Sequence, residues 1–234
     1  MAIVGQFVGI LTEFQDKAGS QCAINQVRPV TKGSEFKHKG KKHKCESVTL
    51  NEVLRIKMDI AASTPLGGHL PNGQLEIFVS PKERYCVNGG IGTIIQTTTE
   101  VCYVLTESSS PTGKLLLGLH YDYDVELDGE PECGHPTYHV QITNSLNTLT
   151  GVLKGLRVDV ANCSHLPFLR LPTAHMSLTS ILLGIAADCF RTEDFQAFIE
   201  SVRKRPPVGL FSPDNLLERI RSQASLAACS WYRS

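Results

Sequence analysis

The sequence predicts an α+β fold, with an antiparallel sheet over about residues 73–160 covered by one helix from the N-terminal half and three C-terminal helices. Three observations carry that expectation. From Gln74 to Thr106 the chain is a series of short β-prone runs, QLEIFVS, RYCV, IGTIIQTTT and VCYVLT, separated by Pro, Gly and Asn clusters. In Lys114–Asp124 and Thr137–Thr143 apolar and polar side chains alternate with the period of a half-buried strand. After Ser177 the texture turns helical, so strands and helices are segregated along the chain.

The 234 residues, 41% hydrophobic and 20% charged, suffice for one large core without disulfide staples. One domain over 1–234 is expected, with 1–48 readable as an appendage that includes a basic loop, and 177–234 as a helical layer. With 23 basic and 23 acidic residues the net charge is zero, so any pull toward nucleic acid or an anionic surface must be local. The eight cysteines include no C-x-x-C pair, and several lie in apolar runs, where a free thiol acts as a small hydrophobe. They are expected to be reduced and mostly buried, with Cys45 and Cys133 as the exposed exceptions. The amino terminus lacks the pattern of a secretory signal, and no run of 18 apolar residues occurs. The expectation is a cytoplasmic protein without a membrane-spanning helix.

In chain order, residues 1–30 fit neither period cleanly and stay open between helix and strand. Thr31–Lys44, with six lysines, supplies no buried face and reads as an exposed loop; Lys37, Lys39, Lys41, Lys42 and Lys44 are its candidate phosphate contacts. Thr49-Leu-Asn-Glu52 has the form of a capping box and predicts a helix that Thr64-Pro65 stops. Gly89-Gly90-Ile91-Gly92 reads as a turn, because no lysine or serine follows at phosphate-loop spacing. Glu107–Gly113 is a turn between strands. Leu115, Leu117, Leu119, Tyr121 and Tyr123 should share one face, and His120, Asp122 and Asp124 the other.

Val125–Pro136 then reads as a long hairpin loop, so that Thr137–Thr143 pairs back on the preceding strand and brings His139 and Gln141 beside His120. Gly155–Val160 is a further strand, and the proline-punctuated stretch after it is extended. Ser177 caps a buried helix, Thr192 caps a second with Glu193 and Asp194 in its first turn, and Ser212-Pro213 opens a third.

The polar strand face holds the candidate chemistry. Imidazoles and short carboxylates at His120, Asp122, Asp124 and His139 suit proton transfer, and with His135 they suit a divalent metal that activates water for phosphodiester or other hydrolysis. Lys154, Arg157 and Arg170 are candidates to steady a phosphate. The alternative is a structural polar network. Cys133, His135, Cys163 and His165 have the composition of a zinc site but the wrong spacing, and Cys133 near His135 is a weaker candidate for a thiol nucleophile.

The series H-Y-D-Y-D at His120–Asp124, H-P-x-x-H-x-Q at His135–Gln141 and R-x-P-x-x-x-M from Arg170 to Met176, before an apolar helix ending in Phe190, resembles an uncharacterised bacterial family. The resemblance covers residues 114–190. It implies a bacterial cytosolic protein of the kind found beside mobile-element and phage-defence genes, and carries over no activity. The leading expectation is therefore a protein-binding subunit of a phage-defence or toxin system, marked by an exposed apolar patch along the C-terminal helices. The alternatives are a metal-dependent nuclease or hydrolase using the His/Asp face, and a non-catalytic nucleic-acid binder.

Overall fold

A computed structural model of the chain describes residues 3–18, 22–38, 41–59, 74–88, 91–106, 112–124, 138–142, 157–159, 170–172 and 177–204. These residues form an α+β arrangement, with the helices on one side of a single sheet.

The chain opens with helix α1 (Ile3–Ala18), which settles the ambiguous start. Phe7, Ile10, Leu11, Phe14 and Ala18 are buried at helical spacing. The pattern was blurred because Val8, also apolar, is on the outer side and 46% exposed. Strand β1 (Cys22–Ile24) follows, then β2 (Pro29–His38), β3 (Lys41–Leu50) and β4 (Leu54–Asp59).

Two expectations are corrected here. The helix predicted from Thr49 is absent; its residues end β3, turn at Asn51 and Glu52, and form β4. The physical reason lies in the period: Leu54, Ile56 and Met58 are buried while Arg55 and Lys57 alternate with them, and pairing on both edges of β4 overrides the local capping signal. Asn51 serves the turn, accepting the Arg28 N–H on Oδ1 at 2.6 Å and donating its own N–H to the Arg28 carbonyl at 2.9 Å. Asn25 does the same for β4, accepting the Arg55 N–H at 2.6 Å and donating from Nδ2 to the Val53 carbonyl at 2.9 Å.

The second correction concerns the basic segment, which is the β2–β3 hairpin rather than a loop, in register from Pro29↔Leu50 to His38↔Lys41. It needs no continuous apolar face, because β3 is anchored on the next strand, β5 (Gln74–Asn88), through Cys45–Thr49, where Cys45 and Val48 are buried.

Beyond β5 come β6 (Ile91–Thr106), β7 (Thr112–Asp124), β8 (Tyr138–Ile142), β9 (Arg157–Asp159) and β10 (Arg170–Pro172). Among the described residues the ten strands form one sheet along β1-β4-β5-β6-β7-β8-β10, antiparallel throughout this path, with β3 joining β5 and short β9 running parallel to β7. The sheet thus begins well before residue 73. β8 pairs with β7 as the alternation predicted, with Leu119↔Ile142 and Tyr123↔Tyr138 at the ends of the ladder.

A bulge breaks the simple face assignment in β7. Tyr103 pairs with Leu117 but Val104 with Leu115, so Leu116 is the extra residue. Leu115 therefore packs with Phe78, Cys102 and Val104 in a small cluster on the far face, while Leu116, Leu119 and Tyr121 lie against the main core.

The helices α2 (Leu178–Cys189) and α3 (Thr192–Lys204) close that main core. Ser177 is the N-cap of α2, its Oγ accepting the Ser180 N–H at 3.3 Å, and Glu193 and Asp194 occupy the first turn of α3, both as expected. Phe14, Phe190 and Phe198 meet at centroid distances of 5.0, 5.6 and 6.3 Å, tying α1 to both. The expected third C-terminal helix lies outside the described residues.

Candidate functional site

The helix side of the sheet is apolar apart from a few buried polar groups, and the opposite side carries the charge. Register places residues of five strands in rows there. One row runs Ser80, Glu100, His120, Gln141, Arg170, and the next Lys82, Thr98, Asp122, His139, Pro172. His120 and Asp122 therefore share a face, as the alternation predicted, and His139 stands opposite Asp122 in the register. Asp124 stands opposite Gln96. His135 lies outside the described residues, as do Cys133, Lys154, Cys163 and His165.

Glu100, on β6, was missed by sequence reasoning and is the main partner of His120. The glutamate is buried, and its Oε1 lies 3.8 Å from His120 Nδ1. That separation is an ion-pair distance, longer than a formed hydrogen bond. Interaction with Glu100 is the largest influence on His120 and raises its pKa; burial works the other way, and the charges of Asp122 and Glu100 add to the rise. Thr98 Oγ1 donates to Asp122 Oδ1 at 3.3 Å. The available signal was that Glu100 is the one acidic residue in the strand run 91–106. Without the β6–β7 register nothing tied it to His120.

A cavity of about 660 Å³, a size suited to a small ligand, opens beside Glu100. Its origin is topological. β4 pairs with Gln74–Val79 of β5 and β3 with Lys82–Cys86, so the neighbour of β5 changes at Ser80-Pro81. Pro81 has no N–H to leave unpaired at the split. The cavity is lined there by Asn51, Glu52, Arg55, Lys82, Thr98 and Glu100, among others. Farther along the face Glu76, also buried, holds two cations: Arg55 Nη2 at 2.5 Å and Lys57 Nζ at 3.3 Å, with the Arg55 guanidinium 5.5 Å above the Phe78 ring.

Among the described residues no three His, Cys, Asp or Glu side chains are grouped to hold a metal ion. Cys22, Cys45, Cys102 and Cys189 are all buried, so the expected exposure of Cys45 is corrected: β3 is inside the sheet rather than in a loop. Burial pushes the Cys22 thiol up to about 11 and those of Cys102 and Cys189 up to about 12, which leaves them inert as nucleophiles.

The lysine candidates do not form one surface. Lys37, Lys42 and Lys44 occupy register positions of one face of the hairpin and Lys41 the other, while Lys39 lies outside the described residues. Lys42 Nζ is 3.0 Å from Glu35 Oε2, which offsets part of the local charge. No helix among the described residues is long and apolar enough to cross a membrane. Comparison of the chain with protein-family models, with curated proteins and with solved structures gave no match.

Proposed function

We propose that the chain is a hydrolase that uses His120, held by Glu100, to move the proton of an attacking water. The observation that carries this reading is that Glu100, which lines the cavity, is also the carboxylate beside His120. A carboxylate beside one ring nitrogen strengthens the imidazole as a base and stabilises the imidazolium that forms. With Nδ1 toward Glu100, Nε2 is left for water. It takes one proton as the hydroxide adds to an ester carbon or a phosphorus, and returns that proton to the departing oxygen. Lys82, exposed at the cavity, supplies positive charge for an anionic substrate. The metal-assisted version of the reaction calls on His120, Asp122, Asp124, His135 and His139 together, of which the side chains of His120 and Asp122 are the described ones.

The partner-binding reading called for an apolar patch on the C-terminal helices. Among the described residues the exposed large hydrophobics are Val8 and Val30, on α1 and β2, and the third C-terminal helix of that expectation lies outside the described residues. For the nucleic-acid reading, the divided hairpin lysines are weak support.

The experiment is hydrolysis of a panel of aryl esters and bis-aryl phosphodiesters by the wild type, His120→Ala and Glu100→Gln. The proposal expects the first variant to abolish, and the second to reduce by about 10²-fold or more, an activity of the wild type. A wild type inactive on the whole panel, or an undiminished His120→Ala protein, counts against it.

A further inference from the structure

On the helix side of the sheet a second carboxylate is buried where the hydrolytic reading has no use for it. Glu83, on β5, is 1% exposed. Its Oε1 accepts the Leu178 N–H at 2.5 Å, and its Oε2 accepts the Tyr85 hydroxyl. Leu178 is the first residue of α2, and the opening N–H groups of a helix have no acceptor within it. Ser177 satisfies one locally and Glu83 satisfies another from 95 residues away. One side chain of the sheet therefore holds the first turn of a helix that contributes Leu178, Ile181, Leu182 and Ile185 to the core.

The surroundings decide what ionisation does there. From α1, Gln6, Phe7 and Ile10 face the site, and from α2 Ser177 and Thr179. Across the neighbouring strands Val48 and Thr97 are the register partners of Glu83. Among the described residues the one other titratable group is Tyr85, whose ring meets Phe7 edge-on at 6.1 Å, and none is a cation. A void of about 20 Å³ lies alongside, room for a single water, and Gln6 Oε1 at its wall is buried without a partner.

We propose that Glu83 is a proton-controlled latch, which fastens the first turn of α2 to the sheet when neutral and loosens it when ionised. In the neutral form Oε1 still accepts from Leu178, while Oε2–H donates to the Tyr85 oxygen. In the ionised form the two donors remain but a negative charge sits in an apolar layer with no counter-ion. Burial is the stronger influence, raising the Glu83 pKa from 4.5 to about 7 against the opposing hydrogen bonds of Tyr85 and Leu178. The sign follows from linkage. Below 4.5 both folded and unfolded chains hold the proton; between 4.5 and about 7 the folded chain alone keeps it, so stability falls as pH rises through that window and levels off above it.

The test is amide hydrogen exchange at Leu178–Ile181, with the melting temperature, across the window in the wild type and Glu83→Gln. The glutamine keeps an acceptor for Leu178 and does not titrate. Protection and melting temperature are expected to fall with rising pH in the wild type, and the Glu83 share of that fall to vanish in the variant. The share due to His120, on the other face, persists in both. Superimposable pH profiles overturn the proposal. Should Glu83→Gln not fold, the side-chain carboxyl ¹³C shift of Glu83 in the wild type decides alone: a midpoint near 7 supports the latch and one near 4.5 overturns it. Tyr85→Phe, which removes a donor that favours the ion, should move that midpoint upward.

Discussion

Glu100 and His120 are register partners on adjacent antiparallel strands, and their side chains approach to 3.8 Å on the sheet face away from the helices. Because the face is fixed by strand pairing on both sides of β7, this couple is held by backbone rather than by loops. The hydrolytic reading follows from it.

His139 tests how far the site extends. It stands opposite Asp122, so if the reaction draws on both rows, His139→Ala and Asp122→Asn should each lower activity while shifting the melting temperature little. Substitutions that open no cavity and strand no buried polar group usually fall within about 0.5 kcal/mol. A loss of several degrees with activity per folded molecule intact would assign both residues to structure.

Glu76 is expected to matter for stability and not for chemistry. Its buried carboxylate joins Arg55 and Lys57, so Glu76→Ala leaves two cations facing each other without their common partner. Both cations are about 40% exposed and water can solvate them. The cost should therefore be roughly 1–3 kcal/mol, below that of a fully buried pair. Denaturant unfolding of the variant reads it.

The three-ring cluster should be less forgiving. Phe14 and Phe198 are fully buried, and truncation of either to alanine removes contacts to two helices at once. A loss of about 3–5 kcal/mol is expected for each. A loss under about 1 kcal/mol would show that α1 does not pack on α3 as described.

Burial of the thiols predicts their labelling. Cys22, Cys102 and Cys189 should react with iodoacetamide in the native protein roughly tenfold or more slowly than in urea, as deprotonation and access are both suppressed. Mass spectrometry of the labelled peptides gives the rates.

How much of this was legible in the sequence depends on which signal carried the information. The fold class, the β7–β8 pairing, the cap at Ser177 and the acidic first turn at Glu193–Asp194 were readable because each rests on local chemistry or strict alternation. β4 was misread because its apolar residues also fit a helical stripe behind a capping box, and pairing on both edges decided the matter. α1 was obscured by the exposed Val8, and the lysine hairpin by the lack of any apolar period. At the candidate site, His120 and Asp122 were visible as an alternating pair on one strand. Glu100 was not, because its role comes from register with a strand beginning in a different part of the sequence, and local sequence does not encode register. The bulge at Leu116 was hidden for the same reason.

The most direct test of the central claim is the NMR titration of the His120 imidazole in the wild type and in Glu100→Gln. His120 is raised above 6.5 chiefly through Glu100, so the imidazolium pair stabilises the fold below 6.5 and that contribution is lost as pH rises through the folded value. The account predicts a wild-type midpoint above 6.5 that drops when Glu100 becomes glutamine, in a protein that remains folded. A wild-type midpoint at or below 6.5, or one that the substitution leaves unmoved, would contradict it.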